Sequence, residues 1–153
     1  MAEITYRTFE GPPTEEVRGW LDPVCVELFG PGGSEARRTM LNGRTHIHVC
    51  IAFDGPTPVG FKLGYMPRSH YFESWLGGVL PAHRRQGIAG ELQRLQHAWC
   101  AGQGFRILTT TTSSDNTAML ILNLQHGYTI TGTFLDRKDH VKIILQKHLD
   151  EEG

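Results

Sequence analysis

A basic loop that leads into a helix is the part of the sequence best suited to binding an anion. The stretch GGVLPAHRRQGIAGELQRLQ spans residues 77–96. Three polar residues crowd the predicted helix start: Arg84, Arg85 and Gln86. The positive end of the helix macrodipole lies there, so a bound anion would offset the unfavourable cations. Gly87 and Ala89 are small where the backbone must approach a ligand closely. The pattern favours a phosphate-binding turn over a plain basic loop, although GxxxxGK[ST] and GxGxxG are both absent.

Two histidines are the best candidates for metal ligands in the sequence. His46 and His48 lie two residues apart on a predicted strand, so they share a face of it. Zinc sites need three or four such ligands. No third ligand is evident, so we expect surface or substrate-groove residues and no bound metal.

The elements that must position the basic loop follow from periodicity and turn signals. Strands are predicted at residues 3–9, 46–53, 59–66, 71–80, 105–112, 128–134 and 140–149. Helices are predicted from Thr14 as cap towards Pro23, from Ser34 to Leu41, from 86 to 101, and from the SSDN cluster to 126. Hairpins thus combine with strand–helix–strand crossovers, which predicts an α/β or α+β domain with one central sheet spanning residues 1–153.

Composition excludes several classes of protein. The chain has 153 residues, 39% of them hydrophobic, which suits one ordinary globular domain. Its net charge of −1 disfavours nucleic acid as a partner. Three cysteines without CxxC spacing argue against a disulfide framework or zinc knuckle and suit the reducing cytoplasm. The sequence shows no signal peptide and no apolar run of about 18 residues, so no membrane partner is expected.

The motif at the basic loop also resembles a known signature. The order Arg84-Arg85-Gln86-Gly87-Ile88-Ala89 is similar to the (Q/R)xxGx(G/A) motif of the GNAT superfamily, the acyl-CoA-dependent N-acetyltransferases. A second match lies downstream, where Asn116 caps a helix and Gly127-Tyr128 stand in the place of the superfamily's "GF" or "GY". The order of elements resembles that fold along essentially the whole chain.

The resemblance implies a fold and a co-substrate. The fold would be a mixed, mostly antiparallel, splayed sheet of six to seven strands with about four helices. Acetyl-CoA would be the co-substrate, and no metal would be needed. The residues implied in binding it are Gly78, Val79, Leu80, Arg84, Arg85, Gln86, Gly87, Ile88, Ala89, Gly90 and Asn116. The pantetheine arm would pair with the end of the strand before the loop, with the sheet splaying at Gly77-Gly78.

The resemblance implies catalytic roles as well. The N–H of Val79 would donate to the thioester oxygen. Glu73 would be the general base, although a solvent-facing glutamate is an equal alternative and His70 and Tyr71 are the next candidates. Many relatives carry a tyrosine acid where this chain has Asn123. That asparagine is either a packed polar residue or a group at the thioester.

These implications lead to an enzyme that transfers an acetyl group to a small-molecule or peptide amine by direct attack in a ternary complex. A non-enzymatic acyl-CoA-binding module is the alternative, and a longer acyl chain or a hydroxyl acceptor is the third reading. No motif identifies the acceptor. The oligomeric state is left open, with a homodimer as one candidate.

Overall fold

The computed structural model describes residues 3–149. The elements in chain order are β1 (Ile4–Glu10), α1 (Glu15–Phe29), α2 (Ser34–Leu41), β2 (Thr45–Asp54), β3 (Thr57–Arg68), β4 (Tyr71–Val79), α3 (Ile88–Gly102), β5 (Ile107–Ser113), α4 (Thr117–Gln125), β6 (Thr129–Leu135) and β7 (Val141–His148). A single 3-10 turn at Pro81–His83 joins β4 to the basic loop.

One seven-stranded sheet organises the described residues, in the order β1-β2-β3-β4-β5-β7-β6. Only β4 and β5 are parallel, because α3 carries the chain back to the same end of the sheet. The other neighbouring pairs are antiparallel. The predicted fold class, a mixed and mostly antiparallel sheet with about four helices, is confirmed.

The helices cover the sheet on both faces. Val17, Leu21 and Val24 of α1 pack with Phe61 and other residues of β2 and β3 on the first face, which we call the α1 face. On the opposite face, the α3 face, Ile88 and Leu92 pack against β2, β3 and β4. A third cluster joins Trp99 and Cys100 of α3 to β4, β5 and β7. The basic loop therefore sits where α3 docks on the centre of the sheet.

Two helices differ from their predicted limits. The third begins at Ile88 rather than 86, because Arg85 and Gly87 have φ values of 63° and 80° that no α-helix contains. The first does not stop at Pro23 but continues to Phe29. A proline inside a helix costs about 3 kcal/mol. Burial of Val24 and Cys25 just beyond it recovers a similar amount, at about 1.5–3 kcal/mol for a large apolar side chain.

The sheet opens between β4 and β5. Their parallel pairing runs from Tyr71 with Ile107 to Ser74 with Thr110 and ends there. Trp75 has no partner on β3, since Leu63 pairs with Leu76 and the next residue pairs with Ser74. Such a bulge increases the local twist and turns the rest of β4 away from β5. The splay was predicted at Gly77-Gly78, and it starts earlier because the extra residue lies at Trp75.

The remaining features concern membranes and cysteines. No helix within residues 3–149 is long and apolar enough to cross a membrane. Cys25, Cys50 and Cys100 are buried as free thiols.

Close packing of β3 against β4 gives a test of the fold. A Cβ at Gly64 would collide with the carbonyl oxygen of Glu73 and the ring of Phe72. We expect Gly64→Ala to lower the free energy of unfolding by about 1–3 kcal/mol, as overpacking does. The control is Gly19→Ala, an exposed helical position with open space around it, which should raise stability by about 0.5–1 kcal/mol. Urea unfolding measures both, and equal stability of the two variants would contradict the packing described.

Candidate active site

The turn before α3 presents a row of unpaired backbone donors. The first helical hydrogen bond runs from Glu91 N–H to Gly87 O at 3.0 Å. The N–H groups from Arg85 to Gly90 have no acceptor in the part of the chain that the structure describes. Gly87 caps the helix with no side-chain hydrogen bond, in a left-handed conformation that glycine adopts without strain. The positive φ of Arg85 and Gly87 curls the backbone, so these donors form a concave surface of the kind that suits an anion.

The turn is fixed from both sides. Leu80 N–H donates to Val59 O at 2.8 Å, which ties the end of β4 to β3. His83 Nε2 lies 2.9 Å from Asp54 Oδ2, at the end of β2. Ile88 is buried immediately after the turn. The donors are therefore held in place before any ligand arrives.

The open edge of β4 carries two further donors. Because Leu80 N–H points at β3, the N–H groups of Val79 and Gly77 point the other way, into the opening towards β5. We call this opening the slot. The N–H of Gly77 was not predicted as a site residue. Backbone N–H groups alternate in direction along a strand, so the register of β4 on β3 would have identified Gly77.

Arg84 bridges the top of the slot. Its Nε donates to Val79 O at 2.9 Å. In a strand the C=O and N–H of one residue share a side, so this carbonyl faces the slot as well. A ligand that pairs with β4 must replace the guanidinium at that carbonyl.

The far side of the slot is formed by β5 and the start of α4. Asn116 caps α4, with its Oδ1 accepting from Met119 N–H at 3.2 Å. This confirms the predicted cap. The side chain is exposed, and its amide nitrogen has no acceptor among residues 3–149.

Asn123 lies deeper, on the buried face of α4, where its side chain is 2% exposed. Its Oδ1 accepts from Gln93 Nε2 at 2.9 Å, and its Nδ2 donates to Thr112 Oγ1 at 3.1 Å. Both ends of the amide are thus engaged in a bridge from α3 to β5. A role of Asn123 at a thioester stays a prediction, and these two bonds favour the packed-residue reading.

Glu73 lies on the α1 face, opposite Tyr65 of β3. Val79 packs with Ile88 and Leu92 on the α3 face, so the bulge puts Glu73 and Val79 on opposite faces despite their even spacing. Burial raises the pKa of Glu73 to about 7, although Arg68 and Arg44 act to lower it. Arg44 stacks on the Tyr65 ring at 4.6 Å. A carboxyl with a pKa near neutrality can accept and release a proton at physiological pH.

The histidine prediction was wrong for His48. His48 is 0% exposed and stacks on Trp99 at 4.3 Å between ring centroids. Burial lowers its pKa to about 4. A register irregularity between Thr45 and His48 leaves His46 exposed. No group of three potential metal ligands occurs within residues 3–149.

A cavity of about 390 Å³ lies on the α1 face, separate from the row of donors. Phe61 and Leu63 form its floor, and Arg37 and Asp22 line it from α2 and α1. It shares that face of the sheet with Glu73.

The α3 face holds a polar residue that sequence reasoning missed. Lys62 of β3 is 8% exposed and pairs with Gly77 across β3 and β4. The signal was available: a lysine stands between apolar residues in VGFKLGY, residues 59–65, with glycine two residues away on each side.

Comparisons with known proteins agree with this geometry. Residues 14–128 match the Acetyltransferase (GNAT) family. The fold is similar to that of the ribosomal-protein-S18-alanine N-acetyltransferase from Escherichia coli, with a TM-score of 0.82, 12% identity, and coverage of 99% of this chain and 97% of that one. It is also similar to the IAA acetyltransferase from Bacillus cereus (0.78, 17% identity, 95% and 100% coverage). A third similar structure is a GNAT family acetyltransferase from Elizabethkingia anophelis with acetyl-CoA bound (0.71, 18% identity, 95% and 98% coverage). No curated protein sequence matches the chain.

The Asn123 bridge can be tested without a ligand. Asn123→Ala leaves Gln93 and Thr112 buried without their partner. We expect a loss of about 1–3 kcal/mol in the free energy of unfolding, the cost of unsatisfied buried polar groups. The control is Asn42→Ala, at an exposed C-cap, with little expected change. Unfolding in urea measures the difference, and an unchanged midpoint in Asn123→Ala would show that the bridge does not stabilise the fold.

Proposed function

Because the chain belongs to the GNAT acetyltransferase family, we propose that it transfers an acetyl group from acetyl-CoA to a primary amine by direct attack in a ternary complex. The observation that carries the proposal is the row of unpaired N–H groups from Arg85 to Gly90 at the head of the slot. A diphosphate and an extended arm are the chemical features that such a surface and an open strand edge accept.

Each part of coenzyme A has a counterpart in the proposed site. The diphosphate lies on the N–H groups of the row, with Arg84 beside it. The pantetheine arm lies in the slot and pairs with Val79 and Gly77 of β4, replacing Arg84 at Val79 O. Gly78 was predicted to take part, but its N–H and C=O face β3, opposite Phe61. Leu80 contributes no N–H, since that donor is used by Val59. The amide nitrogen of Asn116 closes the slot from the other side.

The slot also supplies stabilisation for the reacting carbonyl. When an amine attacks the thioester, negative charge develops on the oxygen, and fixed N–H donors stabilise it. Val79 N–H is the proposed donor. Gly77 N–H faces the same way about 7 Å further along the strand, so it is an alternative donor for a thioester that lies deeper in the slot.

Removal of a proton from the amine falls to Glu73. An alkyl amine has a pKa near 10.4, so it arrives protonated. In a regular strand Glu73 would lie about 20 Å from Val79 and about 13 Å from Gly77. The proton therefore reaches Glu73 through water. The pKa of about 7 suits this step, because the carboxylate forms near physiological pH.

The acceptor approaches on the α1 face, where Glu73 and the cavity of about 390 Å³ lie. Small-molecule amines and peptide amines are both proposed acceptors. The Escherichia coli relative is described as acting on an alanine of a ribosomal protein, and the Bacillus cereus one as an IAA acetyltransferase. Free buried thiols suit the reducing cytoplasm as the compartment. The proposal includes no metal and no nucleic acid, and a homodimer stays a prediction.

The alternative is a non-enzymatic module that binds acyl-CoA. The engaged amide of Asn123 favours it, because no tyrosine acid stands at that position. The raised pKa of Glu73 favours the enzyme. Thiol release from acetyl-CoA in the presence of polyamines, amino acids, aminoglycosides and peptides distinguishes the two.

The diphosphate site predicts a sensitive glycine. Gly87→Val places a branched side chain at a left-handed position among the N–H donors. We expect coenzyme A affinity, measured by calorimetry, to fall at least several-fold. Gly104→Val is the matched control, since Gly104 also has a positive φ, of 86°, but lies at the other end of α3. Equal affinity in Gly87→Val and the control would refute the site.

The base predicts a pH dependence. Below a pH of about 7 Glu73 is protonated, so the rate should rise with pH through that value and level off above it. Glu73→Gln should lose this rise and about a hundredfold in rate, the contribution of a general base, with acetyl-CoA affinity nearly unchanged. The control is the exposed Glu27→Gln. If the variant keeps the wild-type profile, Glu73 is not the base, and His70 and Tyr71 are tested next.

The same pKa has a consequence for stability that needs no acceptor. Burial raises the pKa of Glu73 from 4.5 to about 7, so between these values the folded protein keeps a proton that the unfolded chain has released. The free energy of unfolding therefore falls as pH rises through this window. Glu73→Gln should remove this part of the fall, and Glu27→Gln should retain it. An identical pH dependence in both variants would contradict the raised pKa.

A further inference from the structure

Lys62 is a buried cation without a partner. Its residue is 8% exposed, and no hydrogen bond or ion pair to its ammonium exists among residues 3–149. A buried ammonium is costly unless it is paired. A lysine in this position therefore indicates a group that arrives with a ligand or during a reaction.

The side chain of Lys62 runs under β4 towards the slot. Lys62 pairs with Cys50 on one side and Gly77 on the other, and Cys50 belongs to the cluster on the α3 face. A Cβ at Gly77 would lie 3.2 Å from Lys62 Cδ. The glycine thus leaves room for the lysine stem to cross beneath β4. The ammonium lies two bonds beyond that crossing point.

Two histidines on the α3 side of the sheet are affected by the charge of Lys62. The pKa of His97 on α3 is lowered to about 3 by burial first, then by Lys147 and by Lys62. His97 Nδ1 lies 3.0 Å from Lys147 Nζ of β7, beyond β5. The pKa of His126, which follows α4, is also lowered by burial and by both lysines. Lys62 therefore lies close enough to α3 and to the end of α4 for its charge to act on both histidines.

We propose that the Lys62 ammonium is the acid that protonates the departing thiolate of coenzyme A. This inference rests on the proposed function, because it needs the pantetheine arm in the slot. Gly77, under which the lysine passes, also faces its N–H into the slot, two residues from the proposed donor Val79. Lys62 would supply the proton that a tyrosine at the position of Asn123 would otherwise supply. Both ends of the Asn123 amide are already hydrogen-bonded.

The step balances as follows. The protonated amine first gives one proton through water to Glu73, which later releases it to solvent. The neutral nitrogen then forms a bond to the carbonyl carbon and loses its second proton to water. The tetrahedral intermediate then collapses, the carbon–sulfur bond breaks, and its electron pair stays on sulfur. A proton from Lys62 Nζ converts the thiolate to a thiol. The amine of Lys62 is left neutral and takes up a proton from water before the next turnover.

The surroundings of Lys62 bring its pKa close to that of a thiol. Burial lowers the pKa of Lys62 from 10.5 to about 8, close to the pKa of about 8.5 of a simple thiol. The titratable groups beside it are Cys50, its partner on β2, and His97 and His126, whose pKa values its charge lowers. None of them is a carboxylate that would hold the proton on the ammonium. Donor and acceptor with similar pKa values exchange a proton with little loss of free energy.

A buried polar layer gives the proton a route back. Side-chain atoms without a protein partner in the described chain include Ser74 Oγ, Gln93 Oε1, His97 Nε2, both polar atoms of Gln96, and Tyr128 Oη. Buried polar groups are normally satisfied by protein or by water. Water bound by these groups would carry a proton to Lys62 from the space between α3 and the sheet.

The test measures the bound thiol itself and needs no acceptor. Coenzyme A is titrated on wild type, Lys62→Met and Lys138→Met, and the ultraviolet absorption of the thiolate is followed as pH rises. Lys138→Met removes the same charge from an exposed turn. An ammonium close to sulfur lowers the thiol pKa by at least about one unit, so Lys62→Met should raise it by that amount. Lys138→Met should leave it unchanged.

Kinetics with an acceptor found in the amine panel supply a second readout. Lys62→Met should lower kcat by about a hundredfold, with little change in the KM for acetyl-CoA, and should remove the decline of kcat above a pH of about 8. Methionine fills a similar buried volume without charge, so the variant should fold. Equal thiol pKa values in Lys62→Met and wild type, with coenzyme A bound to both, would overturn the role of Lys62 alone. Failure of wild type to bind coenzyme A would overturn the proposed function and this inference together.

Discussion

The loss of pairing between β4 and β5 is the constraint on which the proposed chemistry depends. One unpaired residue, Trp75, increases the twist of β4, and its hydrogen bonds to β5 end at Ser74. Beyond that point β4 keeps only β3 as a neighbour, and β5 keeps only β7. Two strand edges thus face each other across an open slot in the middle of the sheet. The free N–H and C=O groups of an unpaired edge can hydrogen-bond to another strand. Here this edge is available to an extended ligand arm, and the donors before α3 stand at its head.

The bulge also decides which side chains can cooperate. It places Glu73 on the α1 face, beside Tyr65 and on the same face as the cavity, while Val79 and Lys62 face α3. A group that removes a proton from an incoming amine and a group that gives one to a leaving thiolate need to approach the reacting carbon from different directions. The two faces of the splayed sheet provide this separation. Burial shifts the pKa values of Glu73 and Lys62 towards neutrality from opposite sides, to about 7 and about 8. Each group can then change its protonation state near physiological pH.

The segment from Val79 to Gly90 shows how ligand binding and protein stability are linked. Arg84 occupies Val79 O, and Leu80 N–H is committed to Val59. The N–H groups from Arg85 to Gly90 have no protein acceptor in the described part of the chain. Arg85, Gln86 and Gly87 are exposed, so water can solvate their N–H groups when no ligand is bound. Ile88 and Leu92 anchor α3 on the sheet and keep the row aligned. A ligand that satisfies the donors should therefore also stabilise the protein.

The sequence by itself determined the element order, the fold class and the position of the turn before α3. These depend on local patterns: period-two and period-3.6 hydrophobicity, the cap at Thr14, and small residues next to basic ones. Element limits were less well predicted where left-handed φ values delay α3 and where core burial carries α1 past Pro23. The tertiary structure alone decided the register of β4 on β3, since a bulge depends on two strands at once. For that reason the face of Glu73 could not be read from the chain. The burial of His48 and of Lys62 likewise depends on how α3 packs on the sheet. Their pKa shifts depend on burial, which arises only when distant segments pack together.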